Sequence, residues 1–123
     1  MKKLLLLFLF TYSSNSLAAW VEYSTESNGD IFFYDNERII YNGDLVNVWT
    51  RIQYKTSLMG AASYQSLLKI DCSERYEATL QNTFFSDKYW TKPAMASNTK
   101  EKPKIAIKAN SATQKLAEIL CKN

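Results

Sequence analysis

The sequence predicts an α+β domain: a single antiparallel β-sheet of about five to six strands in a meander, with a C-terminal helix packed on it and tied down by one disulfide. Three observations lead there. Two Asn-Gly pairs, Asn28-Gly29 and Asn42-Gly43, separate runs that alternate between apolar and polar residues. A period-two alternation extends from Tyr64 to Leu80. The last stretch changes to a helical period, and near its end stands Cys121, one of only two cysteines.

Residues 1–18 are a different kind of segment. Lys2 and Lys3 precede an unbroken apolar run from Leu4 to Phe10, and a polar stretch then leads to Leu17-Ala18-Ala19. This is the layout of a secretory signal peptide, and its apolar run is far shorter than the roughly 20 residues that span a bilayer. With Ser16 at −3 and Ala18 at −1, the favoured cut falls after Ala18; a cut after Ala19 would place Leu17 at −3. The domain is then 19–123. No cysteine follows the cut, so the mature chain is expected to carry neither a lipid anchor nor a membrane span, and to work in the periplasm, in the medium or at the cell surface.

Cleavage also changes the charge. The whole chain has 15 basic and 12 acidic residues, a net +3. Losing Lys2 and Lys3 lowers the mature net charge to +1. A nucleic-acid partner calls for a much stronger basic excess.

The mature chain opens with "AWVEYST", and Asn28-Gly29 joins it to "DIFFYD". Asn-Gly between two such runs signals a tight hairpin, because a type I′ turn needs positive φ at both central residues. Asn42-Gly43 likewise joins "RIIY" to "DLVNVWTRIQY", in which Val46, Val48, Thr50, Ile52 and Tyr54 share one face. Residues 55–63 read as a loop broken at Gly60. From Tyr64 the even positions Ser66, Leu68, Ile70, Cys72, Tyr76, Ala78 and Leu80 form one side of a long strand, with a bend expected near Ser73-Glu74. "NTFFSDKYWT" reads as a further strand, 92–104 as a proline-bounded loop, and "IAI" at 105–107 as a short last strand. Ser111 followed by Gln114 has capping-box spacing, and Ala112, Leu116, Ile119 and Leu120 make one apolar helical stripe.

The two cysteines now have a physical role. Export places them in an oxidising compartment, so the expectation is a Cys72–Cys121 disulfide. A helix of about three turns is marginal alone, and a bond to the inner face of a strand pins it on the sheet. Chain-entropy arithmetic for a loop of roughly 50 residues gives about 4 kcal/mol.

Several of these stretches resemble a known family. "AAWVEYS", "FFYDNERI", "NGDLVNVWTR", "SYQSLLKIDCSERYEATL" and "ANSATQKLAEILC" are similar to the corresponding parts of the surface-adhesin protein E family. The resemblance covers essentially the whole mature chain, and its most specific feature is the Asp71-Cys72 dipeptide paired with an Asn-Ser-initiated helix ending in cysteine. It implies a small antiparallel sheet with one helix and one disulfide. It also implies adhesion, since the name-giving members are bacterial surface lipoproteins that bind host matrix and serum proteins. This chain departs from them in lacking the lipid-anchor cysteine, and in reading Lys108-Ala109-Asn110-Ser111 without a proline before the helix.

The chain has no histidine, which rules out histidine-based triads and ordinary zinc sites. Neither a nucleophile elbow nor a phosphate-cradling glycine loop is present. The carboxylate pairs Asp35/Glu37 and Asp71/Glu74 read as turn and solvated-face residues. The expected function is therefore a non-enzymatic binding protein with no catalytic residue, cofactor or metal. Its partner is a host matrix protein or an envelope protein. Aromatics are 14% of residues, and in Phe32-Phe33 and Phe84-Phe85 one member of each pair must leave the inner face. Phe33 and Phe85 are thus candidate contact residues, for a partner or for a homodimer. Lys100, Lys102, Lys104 and Lys108 are candidates for an anionic partner. Two other classes compete: a periplasmic inhibitor or immunity-type protein, and a self-associating structural component of the envelope.

Overall fold

The computed structural model describes residues 19–121, and the segment read as a signal peptide lies outside them. Seven strands form one antiparallel sheet. They are β1 (Trp20–Thr25), β2 (Ile31–Asn42), β3 (Leu45–Leu58), β4 (Ala61–Asp71), β5 (Tyr76–Phe85), β6 (Ala94–Asn98) and β7 (Ile105–Ala106). The first six follow one another as a meander, and the short β7 pairs with β5 beyond the end of β6. Helix α1 (Ala112–Leu120) closes the chain.

Both Asn-Gly pairs mark turns, but neither supplies a type I′ centre. Gly29 and Gly43 have φ of +97° and +64°, whereas Asn28 and Asn42 keep ordinary negative φ. Asn42 ends β2 opposite Leu45, so Gly43-Asp44 is the two-residue loop, and glycine at its first position is the mark of a type II′ turn. Asn28 instead uses its side chain, whose Oδ1 accepts the Asp30 amide at 2.9 Å.

The expected loop over 55–63 is a third hairpin. Leu58 pairs with Ala61, and both Met59 (φ +53°) and Gly60 (φ +87°) take the left-handed conformation that a type I′ turn demands. Methionine is a poor sequence signal for that geometry, which is why the turn was illegible. The long strand expected from Tyr64 to Leu80 is likewise a hairpin. Asp71 accepts the amides of Ser73 and Glu74 on one carboxylate oxygen, at 3.0 and 2.9 Å, and Arg75 turns back at φ +61°. This fold-back changes the parity. Ile70 pairs with Glu77 and Asp71 with Tyr76, so Glu77 shares the Ile70 face while Tyr76 and Ala78 take the opposite one. A bulge at Leu67/Leu68 then restores even-to-even pairing, with Ser66 opposite Asn82.

Helix α1 covers one face of the sheet. Val46 and Val48 on β3, Leu68 and Ile70 on β4 and Tyr34 on β2 meet Leu116, Ala117 and Leu120 in one core. Burial of each large aliphatic side chain there is worth about 1.5–3 kcal/mol. The helix is rotated from its expected stripe: Ala117 is buried and Ile119 is exposed. Ser111 caps it, accepting the Gln114 amide at 3.1 Å, and the Gln114 side chain reaches back to the Asn110 amide. At the other end the Cys72–Cys121 disulfide joins helix to sheet across 49 residues, with Cα atoms 5.6 Å apart. Tyr41 reinforces that end by donating its hydroxyl to the Leu120 carbonyl at 3.2 Å. The helix leaves uncovered the other face of the sheet, and the connection over residues 86–93 packs on part of it.

Candidate functional site

The uncovered face is built around Arg51. In β3, Arg51 lies between Phe33 on β2 and Gln65 on β4, and alternation directs all three away from α1. Its guanidinium carbon is 4.2 Å from the Trp20 ring and 4.5 Å from the Trp90 ring, so one cation serves two indoles. Arg51 Nε also donates to Gln65 Oε1 at 2.8 Å. Burial, and next the neighbouring Arg38, pull the Arg51 pKa below its ordinary value against the opposing effect of Asp35. Guanidinium nevertheless stays charged throughout the physiological range.

Each indole is placed by its own device. Trp20 opens β1 and is paired with Asp35. Trp90 comes from the connection over residues 86–93 and has φ of +56°, a conformation a bulky residue adopts only when its surroundings impose it. Asp87 does the imposing. Its side chain accepts the Thr91 hydroxyl at 2.7 Å and the amides of Tyr89, Thr91 and Lys92 at 3.0–3.2 Å. These bonds, the Thr91 hydroxyl first, hold the Asp87 carboxyl well below the usual carboxylate range. Two further bonds dock the connection on the sheet: Ser63 Oγ donates to the Asp87 carbonyl at 2.6 Å, and Gln53 Nε2 to the Lys88 carbonyl at 3.1 Å. The Trp90 indole then donates to the Tyr64 carbonyl at 3.0 Å and meets Phe33 edge to face at 6.1 Å.

Asp35 corrects the sequence reading. It was expected on a solvated face, but its side chain has no exposure at all, whereas Glu37 is exposed. The register shift between Tyr34 and Ile39 inserts extra residues into β2 and folds them over the carboxylate. Burial alone would raise its pKa. Arg38 Nε at 2.6 Å and the amides of Glu37 and Ala19 outweigh that and lower it. Arg38 also lies 6.0 Å from the Trp49 ring centre.

The candidates read from sequence fall into separate places. Phe33 and Phe85 share the uncovered face, where Phe85 is opposite Ser63 at the far edge of the Trp90 connection. Lys100, Lys102 and Lys104 group with Lys69 and Glu101 at the β7 end, where Lys69 pairs with Glu101 at 3.3 Å and Lys104 lies 4.7 Å from the Tyr76 ring. Lys108 stands apart from them near Glu77, below α1. Ala19 is anchored beside Asp35, and Ala18 lies outside the described residues. Arg51, Arg38 and Asp87 were missed. Arg51 was visible only as a charge on the outward side of β3, and nothing local tied it to Trp20 or Trp90.

As chemistry, the face offers flat apolar rings, fixed cations and buried acceptors that are already satisfied. A cleft of about 460 Å³ beside the disulfide is lined by Tyr41, Asp44 and Arg75 together with both cysteines. Among the described residues no cluster of three or more His, Cys, Asp or Glu is placed to hold a metal ion.

The sequence matches the surface-adhesin protein E family over residues 20–122. The chain belongs to that family. None of the curated proteins matches it by sequence. The fold is that of Haemophilus influenzae protein E. Crystal form II of that protein superposes with a TM-score of 0.67 at 14% identity, covering 87% of this chain and 90% of the other. A second structure, of protein E from non-typeable Haemophilus influenzae, gives 0.63 at 13% identity, covering 88% and 78%. This family member has no helix, among its described residues, long and apolar enough to cross a membrane. Membership implies adhesion to a protein partner, and at such low identity the structural likeness extends to the fold alone.

Proposed function

We propose that this surface-adhesin protein E family member is an exported, non-enzymatic binding module that takes a host matrix protein or an envelope protein on the uncovered face of its sheet. One observation carries the reading: Trp20, Arg51 and Trp90 are brought together there from three separate parts of the chain. Tryptophan and arginine dominate protein contact sites, because each offers a large, partly apolar surface with a directional polar group. Backbone strain at Trp90 is maintained by a dedicated hydrogen-bond network, which an ordinary solvent-facing connection has no need of. Phe33 belongs to this contact surface, and Phe85 flanks it.

Capture on immobilised matrix proteins and on envelope extract, with Arg51→Gln and Trp20→Ala beside the unaltered protein, tests the reading. Both variants should lose most capture while keeping the far-ultraviolet dichroism of the sheet. Capture that survives both changes would remove the uncovered face from consideration. A second contact is favoured by the grouping of Lys100, Lys102 and Lys104 with Lys69, which concentrates positive charge at the β7 end. That contact is distinguished by its dependence on salt.

A further inference from the structure

We propose that cleavage after Ala18 turns the Ala19 backbone nitrogen into an α-ammonium that pairs with the buried Asp35 carboxylate, locking β1 and Trp20 onto the sheet. Hydrolysis of the Ala18–Ala19 peptide bond by a leader peptidase consumes one water. It leaves a carboxylate on Ala18 and an amine on Ala19, which takes up a proton at neutral pH.

The receiving site is already formed. Ala19 N lies 3.3 Å from Asp35 Oδ1, the oxygen that also accepts the Glu37 amide at 2.9 Å. Asp35 Oδ2 is taken by Arg38 Nε at 2.6 Å. From the other side the Asn36 amide donates to the Ala19 carbonyl at 3.0 Å, so Ala19 is gripped at both its nitrogen and its oxygen. The carboxylate has 0% side-chain exposure, yet its one cationic partner among the described residues, Arg38, is 57% exposed. A buried carboxylate is best compensated by cations at hydrogen-bond distance. An ammonium at Ala19 supplies that charge with no movement of the backbone, where the precursor's amide supplies only a neutral N–H.

The same geometry discriminates between the two cuts that the leader sequence allows. Cutting after Ala19 would delete both grips and leave Asp35 with Arg38 and the Glu37 amide. Trp20 follows Ala19 directly, so the pair also fixes the indole that stacks on Arg51. Where it concerns the binding face this consequence rests on the function proposed above, but the ion pair itself does not.

Three side chains bear on the ammonium's titration: Asp35 and Arg38 from β2, and Arg51 from β3, which is coupled to both. The two arginines oppose its charge, and the buried Asp35 at contact distance outweighs them. The amine should therefore titrate above the roughly 8 of a free α-amino group. Its contribution to stability is complete below about pH 8 and is lost as pH rises through that higher value.

The test uses protein exported from its own precursor. Intact mass should place the first residue at Ala19, and competitive acetylation across pH should report an amine titrating above about 8. A form carrying one added serine before Ala19 should melt several degrees lower at pH 7, and lose the decline in melting temperature above pH 8. Asp35→Asn should return the amine to its ordinary titration. It should cost less in the serine-extended form than in the form starting at Ala19. An amine that titrates normally in the unaltered protein overturns the proposal without reference to any variant's folding. So does a first residue at Trp20, or an extension that leaves melting unchanged. None of these readouts involves a partner, so failure of the binding-face reading would leave them as they are.

Discussion

Thr113 Oγ1 donates a 3.0 Å hydrogen bond to Glu77 Oε1, joining the first turn of α1 to β5. This places a carboxylate on the half-buried, helix-covered side of the sheet. Burial raises the Glu77 pKa, and Thr113 and then Lys108 offset only part of the rise. An acid whose pKa is raised by folding is penalised where it is ionised. That penalty is complete above the raised value and fades as pH falls toward the ordinary carboxylate range. Glu77→Gln keeps an acceptor for Thr113 and removes the charge. It should raise the melting temperature by a few degrees at pH 7, with no advantage left near pH 4. Paired thermal melts across that range check it.

The disulfide leads to a second expectation. Cys72→Ser, Cys121→Ser and the double variant each break the same bond, so all three should destabilise alike, by up to about 4 kcal/mol for a loop of this length. Leu116, with no exposure, should cost a further 2–5 kcal/mol when cut to alanine, roughly the range for a filled core position. Denaturant titrations with and without reductant measure both. Three unequal cysteine variants would contradict a shared origin.

Asp87 should govern the connection that carries Trp90. Asp87→Ala leaves three amides and one hydroxyl without their acceptor. The near-ultraviolet tryptophan signal should weaken, and Thr91 and Lys92 amide protons should exchange faster, while the sheet amides stay protected. Folding lowers the Asp87 pKa, so its contribution is present above the ordinary value near 4 and is lost as pH falls below it. Acid titration of the Trp90 indole resonance should show the connection loosening only in that low range.

Salt separates the two proposed binding surfaces. With recognition on the uncovered face, Phe33→Ser should cut capture at least several-fold, Phe85→Ser should cut it less, and raising salt should matter little. Exposed lysines behave otherwise, because such charges are screened over about 8 Å at physiological ionic strength. Replacing Lys100, Lys102, Lys104 and Lys108 with glutamine should then weaken capture, and the Lys100 and Lys102 changes alone should do so without lowering the melting temperature. A steep loss of capture between low and high salt would move the contact to the lysines.

The sequence by itself determined the features that local chemistry and simple period can specify. Alternation assigned Val46, Val48 and Thr50 to one face of β3, a glycine marked each of the first two turns, and Ser111 with Gln114 opened the helix. The cysteine pair followed from there being only two of them in an exported chain. Legibility ended where a residue's role depends on distant neighbours. Met59 can occupy a left-handed turn position only because β3 and β4 are held in register on either side of it. The alternation from Tyr64 to Leu80 continued across a fold-back, since a period of two is blind to reversal of direction.

Only the tertiary structure decided the site. Trp20, Arg51 and Trp90 are tens of residues apart, and no pattern in any window of sequence relates them. Their meeting depends on strand order, on pairing register, and on an Asp87 network that turns one indole back toward the sheet. Asp35 makes the same point in charge. Its position beside Glu37 suggested solvent, and a register shift buried it within reach of Arg38 and the Ala19 nitrogen. Local sequence sets which way a side chain points along its own strand. What it meets is set by pairing with other strands, because those partners are supplied by parts of the chain that only folding brings near.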